Sequence, residues 1–175
     1  MTNQTKIEFN IKIDGFCGKI GEYLAKVGVL GSDAAQSHDV GGKTTVTNSD
    51  VAYTHEFGSF NGFGRGIRIP RRSFLVDPVE MHKKEIKDQA SKSTDIKADI
   101  EAENYKNAVG KLGAIALSFV LQSFENECWG TWEQLSPITL KKRKEKGYSS
   151  LAILIVTGQL RRAVTLEVVK KSDIL

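Results

Sequence analysis

Isoleucine and phenylalanine at positions 7, 9, 11 and 13 alternate with polar residues, a period of two that predicts a half-buried strand. Asp14-Gly15 ends it, and Lys19 to Ala25 reads as a short helix. Lys26 to Leu30 reads as a second strand and Lys43 to Thr47 as a third, closed by Asn48-Ser49-Asp50. Ser49 or Asp50 is then placed to cap a short helix over Val51 to Phe57, which Gly58 ends. Ile67 to Ile69 reads as a short strand. Pro78 fits the first turn of a charged helix from about Val79 to Lys92. Ser91 to Asp95 breaks that helix, with Thr94 or Asp95 as the next cap.

The strongest periodic signal runs from Ile96 to Phe124. Val109, Leu112, Ala116, Leu117, Val120, Leu121 and Phe124 recur at three and four residues and form one wide apolar face. A single long helix is predicted there, ended by Trp129 to Trp132 and lying across the sheet. Gly110 and Gly113 each cost it about 1 kcal/mol against alanine, so close packing or a bend is expected at them. Ser136-Pro137 opens another helix over Ile138 to Lys146, closed by Gly147. Leu151 to Val156 is apolar, Thr157-Gly158 introduces a turn at Gln159 to Arg162, and Val164 to Val169 alternates as a last strand. The fold class that follows is α+β: a mostly antiparallel sheet packed by one long amphipathic helix, with short helices and an extended glycine-rich loop.

Between these elements, Val51 to Leu75 breaks the pattern. Gly58, Gly62, Gly64 and Gly66 loosen the backbone, Phe57, Phe60, Phe63 and Phe74 add large rings, and Arg65, Arg68, Arg71 and Arg72 have no acid between them. This is a segment built to touch something.

A length of 175 residues predicts one domain, 1–175, with a protruding loop around 58–69. Apolar residues make up 40% of the chain, enough for a core, while 26% charged residues and a mean hydropathy of −0.27 describe a water-facing surface. The polar start predicts no signal peptide, and no continuous apolar run nears the roughly 18 residues of a membrane span. Cys17 and Cys128 are read as reduced thiols. The net charge of +4 permits an acidic partner without demanding one.

Most catalytic chemistry is excluded by spacing. His55-Glu56 begins like a zinc-protease helix, but the second histidine would fall at Ser59. Gly62, Gly64 and Gly66 do not join a strand to a helix, so they make no dinucleotide fingerprint. No P-loop or Gly-x-Ser-x-Gly is present. No cofactor, metal or catalytic residue is expected; a hydrolase using His55, Glu56 and Cys128 is the least favoured reading. The run Lys141 to Lys146 reads first as a solvated helix face. Its functional alternative is contact with phosphates or an acidic partner, which with Arg65 to Arg72 gives the rival reading of a small basic nucleic-acid-binding protein.

Four segments together carry a resemblance. Val51 to Gly58 with Ile69 to Leu75 resembles the paired "Ala-x-x-x-Glu-Phe-Gly … Ile-Pro-x-Arg-x-Phe" pattern of tailed-bacteriophage virion morphogenesis proteins, the tail-completion and head–tail joining (neck) family. Trp132 to Lys144 is similar to that family's "Trp-x-x-Leu-Ser-Pro-x-Thr-Leu-x-x-Lys", and Leu154 to Arg161 to its "Leu-x-x-Thr-Gly-x-Leu-Arg". Two positions depart. Ser73 stands where proline is frequent, predicting a looser corner after Arg72, and Val156 stands where an acid often precedes the Thr-Gly pair.

The resemblance implies a small α+β protein that assembles into a ring, commonly sixfold, at the neck or the top of the tail. It implies no catalysis. The partners would be further copies of the chain, tail-tube proteins and head–tail connector proteins. Nucleic acid would be met only as DNA passing through the lumen, and no membrane is involved. Assembly would take place in the host cytoplasm and the product would reside in the virion. On this reading Ala52, Glu56, Phe57, Gly58, Ile69, Pro70, Phe74, Trp132, Leu135, Ser136, Pro137, Leu154, Thr157, Gly158 and Leu160 are structural anchors. Phe60, Phe63, Arg65, Arg68, Arg71 and Arg72 are expected to meet a neighbouring subunit, the last two pairing with carboxylates across the interface.

Overall fold

The computed structural model describes residues 6–8, 19–38, 46–62, 66–148 and 152–174. The strand expected at Phe9 to Ile13, the residues Lys43 to Thr45, and Cys17, Phe63 and Arg65 lie outside them. The described elements, in order, are β1 (Lys6–Glu8), a 3₁₀ turn (Lys19–Glu22), β2 (Tyr23–Val29), α1 (Gly31–Ala35), β3 (Ser37–His38), β4 (Val46–Thr47) and α2 (Asn48–Phe57). Then come α3 (Val76–Met81), α4 (Lys83–Lys92), α5 (Thr94–Glu101), α6 (Tyr105–Glu125), α7 (Glu127–Gly130), α8 (Pro137–Glu145), α9 (Gln159–Ala163) and β5 (Val164–Lys170), followed by a short 3₁₀ turn.

β2 is the centre of an antiparallel sheet of order β1-β2-β5. Its seven residues pair with β5 from Tyr23↔Lys170 to Val29↔Val164. β3 and β4 form a separate two-residue ribbon. The long helix α6 lies on β2 and β5, as its apolar stripe requires. Gly113 sets the distance: a Cβ there would fall 2.5 Å from Leu166 Cδ1 and 2.8 Å from Ala25 Cβ. The glycine is therefore a contact point between helix and sheet. Val109, Leu112, Ala116, Val120 and Phe124 are buried, with Leu117 and Leu121 packed against the core as partly buried residues. The 21 residues of α6 reach the length and hydropathy of a membrane-crossing helix, yet half of its most apolar window is buried inside the molecule.

Several local expectations are corrected. Lys19 to Ala25 is a 3₁₀ turn leading into the strand, because Tyr23 and Leu24 already pair with β5. The long helical pattern is two helices, α5 and α6, separated where Glu103 takes a left-handed φ of 58°. Ile96, on the α5 side of that break, joins Ala90, Ala108 and Leu112 in a satellite core. The charged helix before it also divides, at His82, and begins three residues earlier than Val79. The caps are Thr47, in a capping box with Asp50, and Ser93, whose hydroxyl accepts from the Ile96 N–H. Thr47 lies two or three residues ahead of the expected Ser49 or Asp50, and Ser93 one or two ahead of Thr94 or Asp95. Ile67 to Ile69 contributes one bridge, Ser59↔Ile69, in place of a strand.

α6 stops at Glu125, ahead of the two tryptophans. Glu127, Cys128 and Trp129 then adopt left-handed φ values of 54°, 52° and 54°, so α7 is one left-handed turn. Such geometry costs about 1–2 kcal/mol per non-glycine residue. It is held by the Asn126 side chain accepting from the Trp129 N–H at 2.9 Å, and by Thr131 Oγ1 donating to the Cys128 carbonyl at 2.9 Å.

Candidate functional site

α2 carries the first anchor. Glu56 is fully buried, and its carboxylate accepts four hydrogen bonds: from Ser73 Oγ at 2.5 Å, from the N–H groups of Phe74 and Leu75 at 3.0 Å each, and from that of Val76 at 3.2 Å. Those three N–H groups lead into α3, whose first turn has no intrahelical partners for them. A carboxylate there satisfies the donors and meets the positive end of the helix dipole. Gly58 ends α2 at φ 76°, and a Cβ would stand 3.0 Å from the Arg71 nitrogen, so the backbone crossing at this point requires glycine.

Ser73 corrects the expectation of a loose corner. Besides donating to Glu56, its hydroxyl accepts from the Asp77 N–H at 2.9 Å, and its carbonyl accepts from Trp132 Nε1 at 3.0 Å. Trp132 is buried beside Phe124, which itself packs on Phe74 at a centroid distance of 5.1 Å.

The arginines follow the same logic. Arg72 is buried and donates from Nε and Nη2 to the Glu133 carbonyl at 2.9 and 2.8 Å, while its own N–H bonds the His55 carbonyl. Burial pushes its pKa below the usual guanidinium value; the group still keeps its charge. Arg71 is exposed and forms a bidentate pair with Asp77 at 2.7 and 2.6 Å, which raises its pKa. Arg68 pairs with Glu133 through both nitrogens at 3.3 Å. The guanidiniums expected to seek carboxylates in a neighbour thus have partners within the chain. For Arg72 burial removes that role altogether.

From Gly58 onward the loop doubles back. Ser59 and Ile69 exchange both backbone hydrogen bonds, and the Gly62 N–H reaches the Ile67 carbonyl at 2.7 Å. Phe60, at the outer end, is 90% exposed. Phe57 is also half exposed and lies against Tyr53, so it anchors the chain by position and not by burial.

Between this loop, α2 and the later segments lies a cleft of about 480 Å³. Its walls come from Val51 and His55 of α2, Ile67 to Pro70 and Arg72, Glu133 to Ser136, Thr139 and Arg143 of α8, and Leu154 to Leu160. Ile69, Pro70, Leu135, Ser136, Leu154, Thr157 and Leu160 among the expected anchors line it directly. Ala52, Glu56, Phe74 and Trp132 lie behind it in the core. Ser136 caps α8 by accepting from the Thr139 N–H, with Pro137 at the first helical position. Thr157 Oγ1 accepts from the Gln159 N–H, and Gly158 takes the left-handed φ of 72° that starts α9.

Sequence reasoning missed Arg143. It stands in a basic run that reads as a solvated face, yet it donates to the Ala152 carbonyl at 2.7 Å and lines the cleft, with its pKa lowered by burial. The signal was available, since Thr139, Leu140 and Arg143 share one helical face at three- and four-residue spacing. Glu133 was missed as well; nothing in its neighbourhood announces that it would carry Arg68 on its side chain and Arg72 on its carbonyl.

Of the three residues weighed for hydrolysis, only His55 lines the cleft. Glu56 spends both oxygens inside the fold, and burial pushes the Cys128 thiol above its ordinary pKa, away from the nucleophilic thiolate. Among the described residues no cluster of three or more histidine, cysteine or acidic side chains is placed to hold a metal. No family model matches the chain, and neither does any curated protein or solved structure.

Proposed function

We propose that the chain is a non-enzymatic structural subunit of a tailed-phage or prophage virion, acting in tail completion or head–tail joining as a ring-forming neck or tail-terminator protein. One observation carries the reading. The segments that resemble that family, at 51–58, 69–75, 132–144 and 154–161, are far apart in sequence and close around a single cleft. The first three lock to one another through Glu56, Ser73, Arg72 and Trp132. Chance matches to unrelated short patterns have no reason to converge in space. Phe60, held 90% exposed at the end of the loop beside the cleft, is the kind of apolar group that a neighbouring subunit covers. The partners on this reading are further copies of the chain in a ring, tail-tube and connector proteins, and DNA only as it passes through the lumen.

The test has two arms. Light scattering of the purified chain should give the mass of a closed oligomer, alone or with the tail-tube protein. An early stop codon in the gene should leave heads and tails unjoined. A persistent monomer, together with normal joined particles from the disrupted gene, overturns the reading.

A second reading, nucleic-acid binding, is favoured by Lys141, Lys142, Lys144 and Lys146, all exposed on or beside α8. It predicts duplex binding that weakens steeply with salt. Binding that is absent at low salt, or indifferent to salt, removes it.

A further inference from the structure

The charge of this protein is concentrated in one place. Residues 137–146 hold five cations and Glu145, 5 − 1 = +4, equal to the net charge of the whole chain. The other 165 residues therefore balance at twenty cations and twenty acids. No residue of α8 is buried. Its inner face is the half-buried set Thr139, Leu140 and Arg143. The outer face presents Lys141 and Lys142 beside Ile138, which is 68% exposed, with Lys144 at its edge. Glu145, 3.9 Å from Lys141, is the one acid within the helix to offset them. Like charges at this spacing destabilise a helix. An apolar side chain flanked by cations has the anatomy of a protein contact, with an anchor beside a polar rim. A surface made for phosphates gains nothing from Ile138 and loses by Glu145.

A matching surface lies elsewhere on the same molecule. Residues 94–104 carry Asp95, Asp99, Glu101 and Glu103 against Lys97, 4 − 1 = −3. Asp99 is engaged by Lys111 at 2.7 Å, while Asp95 and Glu101 are exposed on α5. On the same outer face stands the exposed Ala98, whereas Ile100, two residues on, turns to the satellite core. α5 sits on α6, whereas α8 borders the cleft, and no ion pair joins the two among the described residues.

We infer that the outer face of α8 docks on the α5 corner of a second copy of this chain, with Ile138 set against Ala98 and the lysines facing Asp95 and Glu101. Each copy then offers one surface of each sign. The contact is heterologous, and it propagates into a ring or a filament. The inference rests on the assembly reading above and names the faces that meet.

The experiment compares the wild type with K141E/K144E, with D95K/E101K and with the variant carrying all four changes. Self-association is followed by sedimentation velocity from about 50 to about 500 mM salt, where screening shortens from roughly 14 Å toward 4 Å. Each one-sided reversal is expected to weaken association at least about tenfold at low salt. The fourfold variant, whose charges are again complementary, should recover most of it. Ile138→Ser should weaken it at every salt concentration. All the changed positions except Ile138 are exposed charges, and thermal melting of each variant confirms that folding is intact. An assembling wild type that ignores both reversals overturns the α8–α5 contact and leaves the virion reading standing. Reversals that are not rescued in combination overturn the contact as well. Loss of duplex-DNA binding in K141E/K144E with unchanged self-association overturns it in favour of nucleic acid. A wild type that stays monomeric up to hundreds of micromolar, with joined virions formed normally without it, removes both.

Discussion

Glu56 shows how a residue chosen for a motif is in fact chosen for a corner. Its four hydrogen bonds tie α2 to the start of α3 by satisfying Ser73 and three backbone N–H groups. Replacing Glu56 by alanine leaves those donors buried and unpaired. The expected loss is about 3 kcal/mol or more, a fall in melting temperature on the order of 6–12 °C for a chain of this size. Glu56→Gln should lose nearly as much, because its amide nitrogen would face donors. A melting temperature within a degree of wild type for either would contradict the role. Cys128 makes a pH prediction. Its folded pKa is raised by burial above the ordinary thiol value of 9.0. As pH rises the unfolded chain therefore ionises first, binds fewer protons than the folded one and gains population. The contribution is intact below the unfolded pKa and is lost as pH climbs toward the folded value. Chemical denaturation between about pH 8 and pH 10 should show a decline that Cys128→Ala reduces; an identical slope in both proteins would refute it.

At the scale of elements, the two glycines of α6 separate cleanly. Both weaken the helix by the same propensity, about 1 kcal/mol against alanine. A Cβ at Gly113 collides with Leu166 and Ala25, whereas one at Gly110 meets only Val168 Cγ2 at an ordinary 3.5 Å. Gly113→Ala should therefore destabilise by up to about 2 kcal/mol net, since overpacking costs roughly 1–3 kcal/mol and the propensity gain returns about 1 kcal/mol. Gly110→Ala should be neutral or stabilising by up to about 1 kcal/mol. Urea titrations of the two variants check the opposite signs; equal shifts would mean that the helix–sheet spacing is not set at Gly113. The apolar stripe made the helix and its buried face legible. It did not reveal the break at Glu103, because the residues on both sides, Ile96 and Ile100 before it and Ala108 and Leu112 after it, keep an apolar face through the kink.

For the whole molecule, the loop from Gly58 to Ile69 is the element most easily removed. Its base is fastened by the Ser59–Ile69 pair and by Gly58 against Arg71, while Phe60 beyond it is exposed. Replacing residues 60–67 by a two-residue turn should leave the melting temperature within a few degrees and abolish assembly, read by light scattering and by the yield of joined particles. Loss of folding would place the tip in the core instead. Here the arginines are instructive. Their types and the absence of acids between them suggested an outward-facing basic edge, but Asp77 and Glu133, six and more than sixty residues away, turned Arg71, Arg72 and Arg68 inward or sideways.

Periodicity and punctuation depend on neighbours within a few residues, and the sequence by itself determined much of them: the strand from Lys26 to Val29, the helix that ends at Phe57 with its stop at Gly58, the apolar face of α6, α8 with its Ser136-Pro137 start, β5, and the α+β class. What only the tertiary structure decided are the long-range partners. Glu56 becomes a helix-start anchor only once Ser73 is brought beneath it, Ser73 tightens a corner only because Trp132 reaches its carbonyl, and Arg143 leaves a solvated run only because Ala152 offers an acceptor. Burial and hydrogen-bond satisfaction are properties of a packed whole, and the window of a helix or strand pattern does not join Glu56 to Ser73, 17 residues on, or Ser73 to Trp132, 59 residues on. The same reason separates the two charged faces, at α5 and α8. Their opposite signs are written in the sequence, and their separation on the surface is not.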